Sequence, residues 1–125
     1  MAAATDYLEA EVVDHVLGTG AFTMPTGVYI KLHIGAPGET ATANAAAETT
    51  RKVATWSAAS VGTGTAALSA TVTWTSVAAS ETYSHFSLWD AATAGNALVV
   101  GALDSAVAVT AGGTFNLTAL PVTVA

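Results

Sequence analysis

Few side chains in this 125-residue chain can do chemistry: three histidines, nine Asp and Glu, three Lys and Arg, and no cysteine. His33 and His85 fall at outward positions of expected strands, and His15 lies on an expected helix. A metal site would need two or three of them to converge with a carboxylate such as Asp90 or Asp14. Neither an HxH nor an HExxH spacing occurs, so His33 and His85 read as surface or interface side chains, and no metal is expected. A nucleophile arrangement can be imagined from Ser84, His85 and Asp90. Neighbouring residues of a strand point to opposite faces, however, so Ser84 and His85 should not face each other. No GxSxG elbow is present. The acids Glu39, Glu48, Glu81, Asp90 and Asp104 are isolated and read as turn or cap residues. Trp56, Trp74 and Trp89 could line a groove for a carbohydrate, although tryptophans more often pack a core or an interface. No catalytic residue and no cofactor is expected.

The charge balance excludes further classes. Only 10% of residues are charged, where an average soluble domain has about 25%. A hydrophobic content of 52% is incompatible with disorder. Lys31, Arg51 and Lys52 are the only cations, too few to track phosphates, so no nucleic-acid partner is expected. The start, Met1 to Asp6, has no basic region and reaches an acid before any apolar run, so no signal peptide is read there. The charge-free stretches Val53 to Ser80 and Ser105 to Ala125 are broken by Gly and rich in Thr, so no membrane helix is expected. A surface tiled with Ala, Thr, Ser and Gly is poorly defended against association at strand edges. It is therefore expected to be covered in service, by copies of itself or by a larger assembly.

The elements that must position these residues follow from periodicity. Leu8, Val12 and Val16 recur at helical spacing, with Asp6 and Glu9 forming a capping-box-like start and Gly18 and Gly20 a stop. A helix is expected over residues 6–17, either closing one end of the body or packing on a neighbouring copy. Val28, Ile30, Leu32 and Ile34 then alternate with Tyr29, Lys31 and His33, which marks a half-buried strand. A loop is expected from Glu39 to Glu48, and a strand from Arg51 to Ser57. Leu68, Ala70, Val72 and Trp74 alternate with Ser69, Thr71, Thr73 and Thr75. Strand Tyr83 to Trp89 leads through a hairpin connection, Asp90 to Asn96, into a return strand from Leu98 to Leu103 with Gly101 as a bulge or close approach. Short strands are expected at Val107 and Val109, at Phe115 and Leu117, and at Val122 and Val124. The sum is one all-β domain over residues 1–125: a β-sandwich, Ig-like or jelly-roll-like, of about eight short antiparallel strands over 27–125 with one N-terminal helix. The candidate contact residues are Leu8, Val12 and Val16 on the helix, with Tyr29, His33, Thr71, Thr73, His85 and Trp89 on the strands.

Several runs, in order, carry a family resemblance: Tyr7-Leu8-Glu9, Asp14 to Gly18, Val28 to Leu32, Gly35 to Glu39, and above all His85 to Asn96, followed by Gly101-Ala102-Leu103 and Leu120 to Val124. In these the chain resembles a group of small tailed-bacteriophage and prophage virion proteins, labelled tail fibre, head fibre or minor capsid proteins. The family often has Gly where Ser87 stands. The resemblance implies a structural virion role without catalytic residues. The expected function is a minor capsid or decoration protein that reinforces the shell as an oligomer, a trimer being favoured, with the major capsid protein as partner. A tail-fibre component contacting the host surface is the alternative, and a carbohydrate-binding module a third. Production in the host cytoplasm and residence in the virion are expected.

Overall fold

The computed structural model describes residues 2–123. Among them the chain forms one helix, α1 (Asp6–Leu17), and nine strands. These are β1 (Ala2–Ala4), β2 (Val28–His33), β3 (Lys52–Ala54), β4 (Thr65–Ala66), β5 (Val72–Trp74), β6 (Glu81–Trp89), β7 (Ala97–Val109), β8 (Phe115–Leu117) and β9 (Val122–Thr123). The fold is all-β with a single helix. A five-stranded antiparallel sheet has the order β1-β7-β6-β2-β3, and two small antiparallel pairs, β4-β9 and β5-β8, accompany it. Val124, expected in the last strand, lies outside the described residues.

One face of the large sheet builds the main core. Ile30 and Leu32 of β2 stand beside Leu88 and Phe86 of β6, and all four are buried. The β5-β8 pair closes this core with Val72, Trp74, Phe115 and Leu117. Phe115 is its centre, with its ring 5.7 Å from that of Trp74 and edge-on to Tyr83 at 5.2 Å. Burial of Tyr83 pushes its phenol up to about 12, and its hydroxyl has no partner among the described residues.

The helix falls where periodicity puts it, but its cap is Thr5 rather than Asp6. Leu8 N–H donates to the Thr5 hydroxyl oxygen (3.3 Å), and that hydroxyl donates to the Ala97 carbonyl (2.7 Å). One threonine thus caps the start of the helix and ties it to β7, its hydroxyl accepting from the helix and donating to the strand. Gly18, at φ +76°, closes the other end. The expected burial of the whole stripe is corrected. Leu8 is buried, but Val12 is exposed and Val16 is 74% exposed, because the helix is held by its first turn and packs mainly on β1 and β7.

Three further expectations change. The threonine-faced strand shrinks to Val72–Trp74, with a bend at Ser69 and Ala70 and a separate bridge between Leu68 and Trp56. The two strands expected at 98–103 and 107–109 are halves of one strand, β7, separated by an irregularity. There β7 advances from Ala102 to Val107 while β6 advances only from His85 to Tyr83. Gly101 is not the bulge; it sits in regular register opposite Phe86. The strand β1 has no counterpart in the sequence reading, since three alanines carry no period.

Candidate functional site

The second face of the large sheet holds most of the chain's unusual side chains. Strand alternation sends Tyr29, Lys31 and His33 of β2 to this side, opposite Trp89, Ser87 and His85 of β6. A strand face of this composition would ordinarily meet water. Here the segment after β2 turns back to pair along its edge, by Ile34 N–H to the Asn44 carbonyl, Ala46 N–H to the Leu32 carbonyl and a bridge from His33 to Ala45, and its Ala41 packs on this face with Trp89 and Val100. His33 is therefore 0% exposed, which corrects its expected place on the surface.

Burial of His33 is made possible by complete pairing. Its Nδ1 lies 2.9 Å from the Ala43 carbonyl oxygen. A carbonyl only accepts, so Nδ1 carries the proton. Its Nε2 lies 2.8 Å from Ser87 Oγ, and in the neutral ring Nε2 accepts the Ser87 hydroxyl proton. The Trp89 indole N–H in turn donates to Ser87 Oγ at 2.8 Å. The chain runs Trp89 to Ser87 to His33 to Ala43, with every donor and acceptor used once. Burial holds the His33 imidazole below its ordinary value, and nearby Lys31 and His85 act in the same direction. Its hydrogen bonds to backbone oppose the shift.

A serine next to a histidine raises the question of nucleophilic chemistry. Ser87 and His33 are both sealed from solvent, and a backbone carbonyl rather than a carboxylate orients the ring. The arrangement fastens a loop to a sheet. The second pair corrects an expectation: Ser84 Oγ and His85 Nδ1 are 2.8 Å apart. The β6-β7 irregularity between Tyr83 and His85 breaks the alternation that should have separated them. Asp90 is bound elsewhere, so no third member joins the pair. His15 is on the helix, its Nδ1 accepting the Phe22 N–H. Among the described residues no three His, Asp or Glu side chains gather to hold a metal.

Trp89 is the floor of this face and 8% exposed. The Arg51 guanidinium stacks 3.9 Å from its ring centroid, and the Lys31 ammonium stands 5.8 Å away. Arg51 also donates from one nitrogen to the Ala91 and Ala94 carbonyls (3.0 and 2.7 Å), locking the β6-β7 connection. Burial lowers both cations from their ordinary values; the neighbouring Arg51 adds to this for Lys31, while Asp90 offsets it for Arg51. The connection is further closed by Asp90, whose carboxylate accepts from the Asn96 backbone N–H (2.7 Å) and side-chain amide (3.0 Å). Gly95 turns at φ +76°, and a Cβ there would collide with that carboxylate. Beside Trp89 an open recess of about 390 Å³ is bordered by Asp6, Tyr7, Glu39, Thr40 and Asn96.

The expected contact residues therefore divide. Tyr29, His33, His85 and Trp89 come together on this face, with His33 and Trp89 buried in it. Thr71, just before β5, and Thr73 within it are exposed away from this face, and the Thr73 hydroxyl donates to Asn116 Oδ1 (2.8 Å). The three tryptophans do not share a groove. Trp74 is fully buried with its N–H on the Thr50 carbonyl (2.9 Å). Trp56 borders a separate apolar groove of about 250 Å³ with Leu8, Phe22 and Val122. Sequence reasoning missed Ser87, Lys31 and Arg51. The available signal was that two of only three cations lie within reach of a strand carrying Trp.

The run His85 to Asn96 supplies the β6 part of this face and the hairpin that closes it. A family model described as podophage GP4 fiber I protein gp80 matches residues 3–125. No curated protein matches the chain.

Proposed function

We propose a load-bearing, non-enzymatic role for this chain from one premise: it belongs to the podophage GP4 fiber I protein gp80 family, and is a phage virion structural protein. Within that role, with the family's description as a fibre protein in support, we assign it to a virion fibre, as a subunit that packs on further copies of itself, in place of the capsid decoration expected from the sequence. The observation that supports self-packing is the outward half of α1. Val13, Val16 and Leu17 stand 53–74% exposed, beside Val12, on a chain with very few charges to keep copies apart. His33, Ser87, Arg51 and Asp90 are spent in holding loops to the sheet.

Labelling in intact virions tests the assignment. Antibody or gold label on this chain should decorate an appendage. Label spread over the whole capsid lattice, together with binding of purified protein to mature empty capsids, would replace the fibre assignment with capsid decoration. Label absent from virions would remove both.

A further inference from the structure

The segment that follows β2 is strained and held at few points. Ala41 and Asn44 adopt φ of +56° and +52°, the left-handed region that an L side chain enters at a steric cost. Ala41 is nonetheless fully buried, against Trp89 and Val100. At its far end the Ala46 N–H meets the Leu32 carbonyl, and the Ala47 N–H donates to both oxygens of the Glu81 carboxylate (3.1 and 2.9 Å). Its middle is held by His33, whose Nδ1 donates to the Ala43 carbonyl. That tie suits only a neutral ring. Protonated, both ring nitrogens donate, and the Ser87 hydroxyl proton loses its acceptor in a sealed space. The charged and titratable groups around the ring are Lys31 on β2, His85 opposite on β6, Arg51 and Asp90 beyond Ser87 at Trp89 and the hairpin, Glu39 in the segment and Glu81 at its end. Strand β7 adds none there, placing Val100 beside Ser87 and Ala102 beside His85. Lys31 and His85 are the charges that act on His33, both with the sign of an imidazolium.

We propose that residues 34–46 form an acid-released cover: when His33 takes up a second ring proton, the segment unpairs from the edge of β2 and lifts, and the face carrying Ser87 and Trp89 opens to water. Lifting hydrates the imidazolium and relieves Ala41 and Asn44 of their left-handed turns. The Glu81 clasp on Ala47 is the tether at one end, and Gly35 gives the chain freedom at the other. The open form binds the proton more readily than the closed one. Opening therefore increases as pH falls below the ordinary His value of about 6.5, by up to about tenfold per pH unit for one proton. Above that pH the neutral ring completes the chain of hydrogen bonds and the cover stays down. Ile30, Leu32, Phe86 and Leu88 keep the opposite face of the sheet in its apolar core, so the strands stay paired while the cover moves.

Amide hydrogen exchange of the full chain between about pH 7.5 and about pH 5, expressed as protection relative to each amide's intrinsic rate, tests this. Protection at Ile34 and Ala46 should fall by up to about tenfold per pH unit below about 6.5, while Phe86 and Leu88 stay protected. His33→Gln should hold the protection of the cover constant over this range. Glu81→Gln and His85→Gln should leave its pH dependence in place. By NMR of the unaltered chain, the His33 ring and the Trp89 indole N–H should titrate together, below the ordinary His value. Protection of the cover that ignores pH overturns the proposal, as does a pH dependence that survives His33→Gln or vanishes in Glu81→Gln. A parallel loss at Phe86 and Leu88 is unfolding of the whole sheet and overturns it too. Where His33→Gln does not fold, the NMR titration decides, and separate titration of His33 and Trp89 overturns the device.

Discussion

The two faces of the five-stranded sheet are made by alternate residues of the same strands, yet they are held by different physics. Phe86 and Leu88 point into a dry core closed by Trp74 and Phe115. His85, Ser87 and Trp89, interleaved with them, meet a folded-back loop, two cations and a chain of hydrogen bonds. The first face is stabilised by apolar area and tolerates imperfect geometry at a graded cost. The second depends on each polar atom finding its one partner, so that losing any member strands the others. A strand face with a histidine and a serine can thus be interior, provided that the covering segment supplies acceptors.

Substitutions can break this contrast, beginning with the largest. Trp74→Ala empties the centre of the apolar face and should cost about 3–5 kcal/mol in denaturant unfolding. Ser87→Ala removes only one oxygen but leaves the Trp89 N–H and His33 Nε2 unpaired in a sealed space, and should cost about 1–3 kcal/mol. A loss as small as that of an exposed serine would show that water already serves the polar face. The third test is pH. The folded protein holds His33 below its ordinary value while the unfolded chain titrates near 6.5, so the unfolded state binds more protons as pH falls. The stabilisation is full above about pH 6.5 and is lost as pH drops below it. The slope for this one group cannot exceed about 1.4 kcal/mol per pH unit, and His33→Gln should flatten that part of the profile. The smallest effect is expected from Arg51→Ala, about 1 kcal/mol, read together with a change in Trp89 fluorescence as the ring loses its cover.

Much of this arrangement was legible in residue order. The helix bounds, the β2 alternation and the hairpin from Asp90 to Asn96 all follow from local chemistry: an apolar period of 3.6, a period of 2, and an Asp-to-Asn turn with Gly. The capping residue was misplaced by one because Thr5 and Asp6 are both good caps, and only the Ala97 carbonyl, 92 residues away, selects Thr5. Ser84 and His85 were separated by a rule that holds for regular strands. The irregularity that overrides it is set by β7, whose residues say nothing about their partner's spacing.

Local sequence therefore determined the helix, the long strands β2 and β6 and the hairpin that follows β6, because these depend on neighbours a few residues apart. It also determined the shortage of charge and the sorting of cations and acids onto different elements. Only the tertiary structure decided what each face meets. The carbonyl on His33, the clamp of Arg51 beside Trp89 and the tie of the helix start to β7 join residues 10 to 92 positions apart. Inward and outward are read from the period, but buried and exposed are settled by what the rest of the chain brings to cover them.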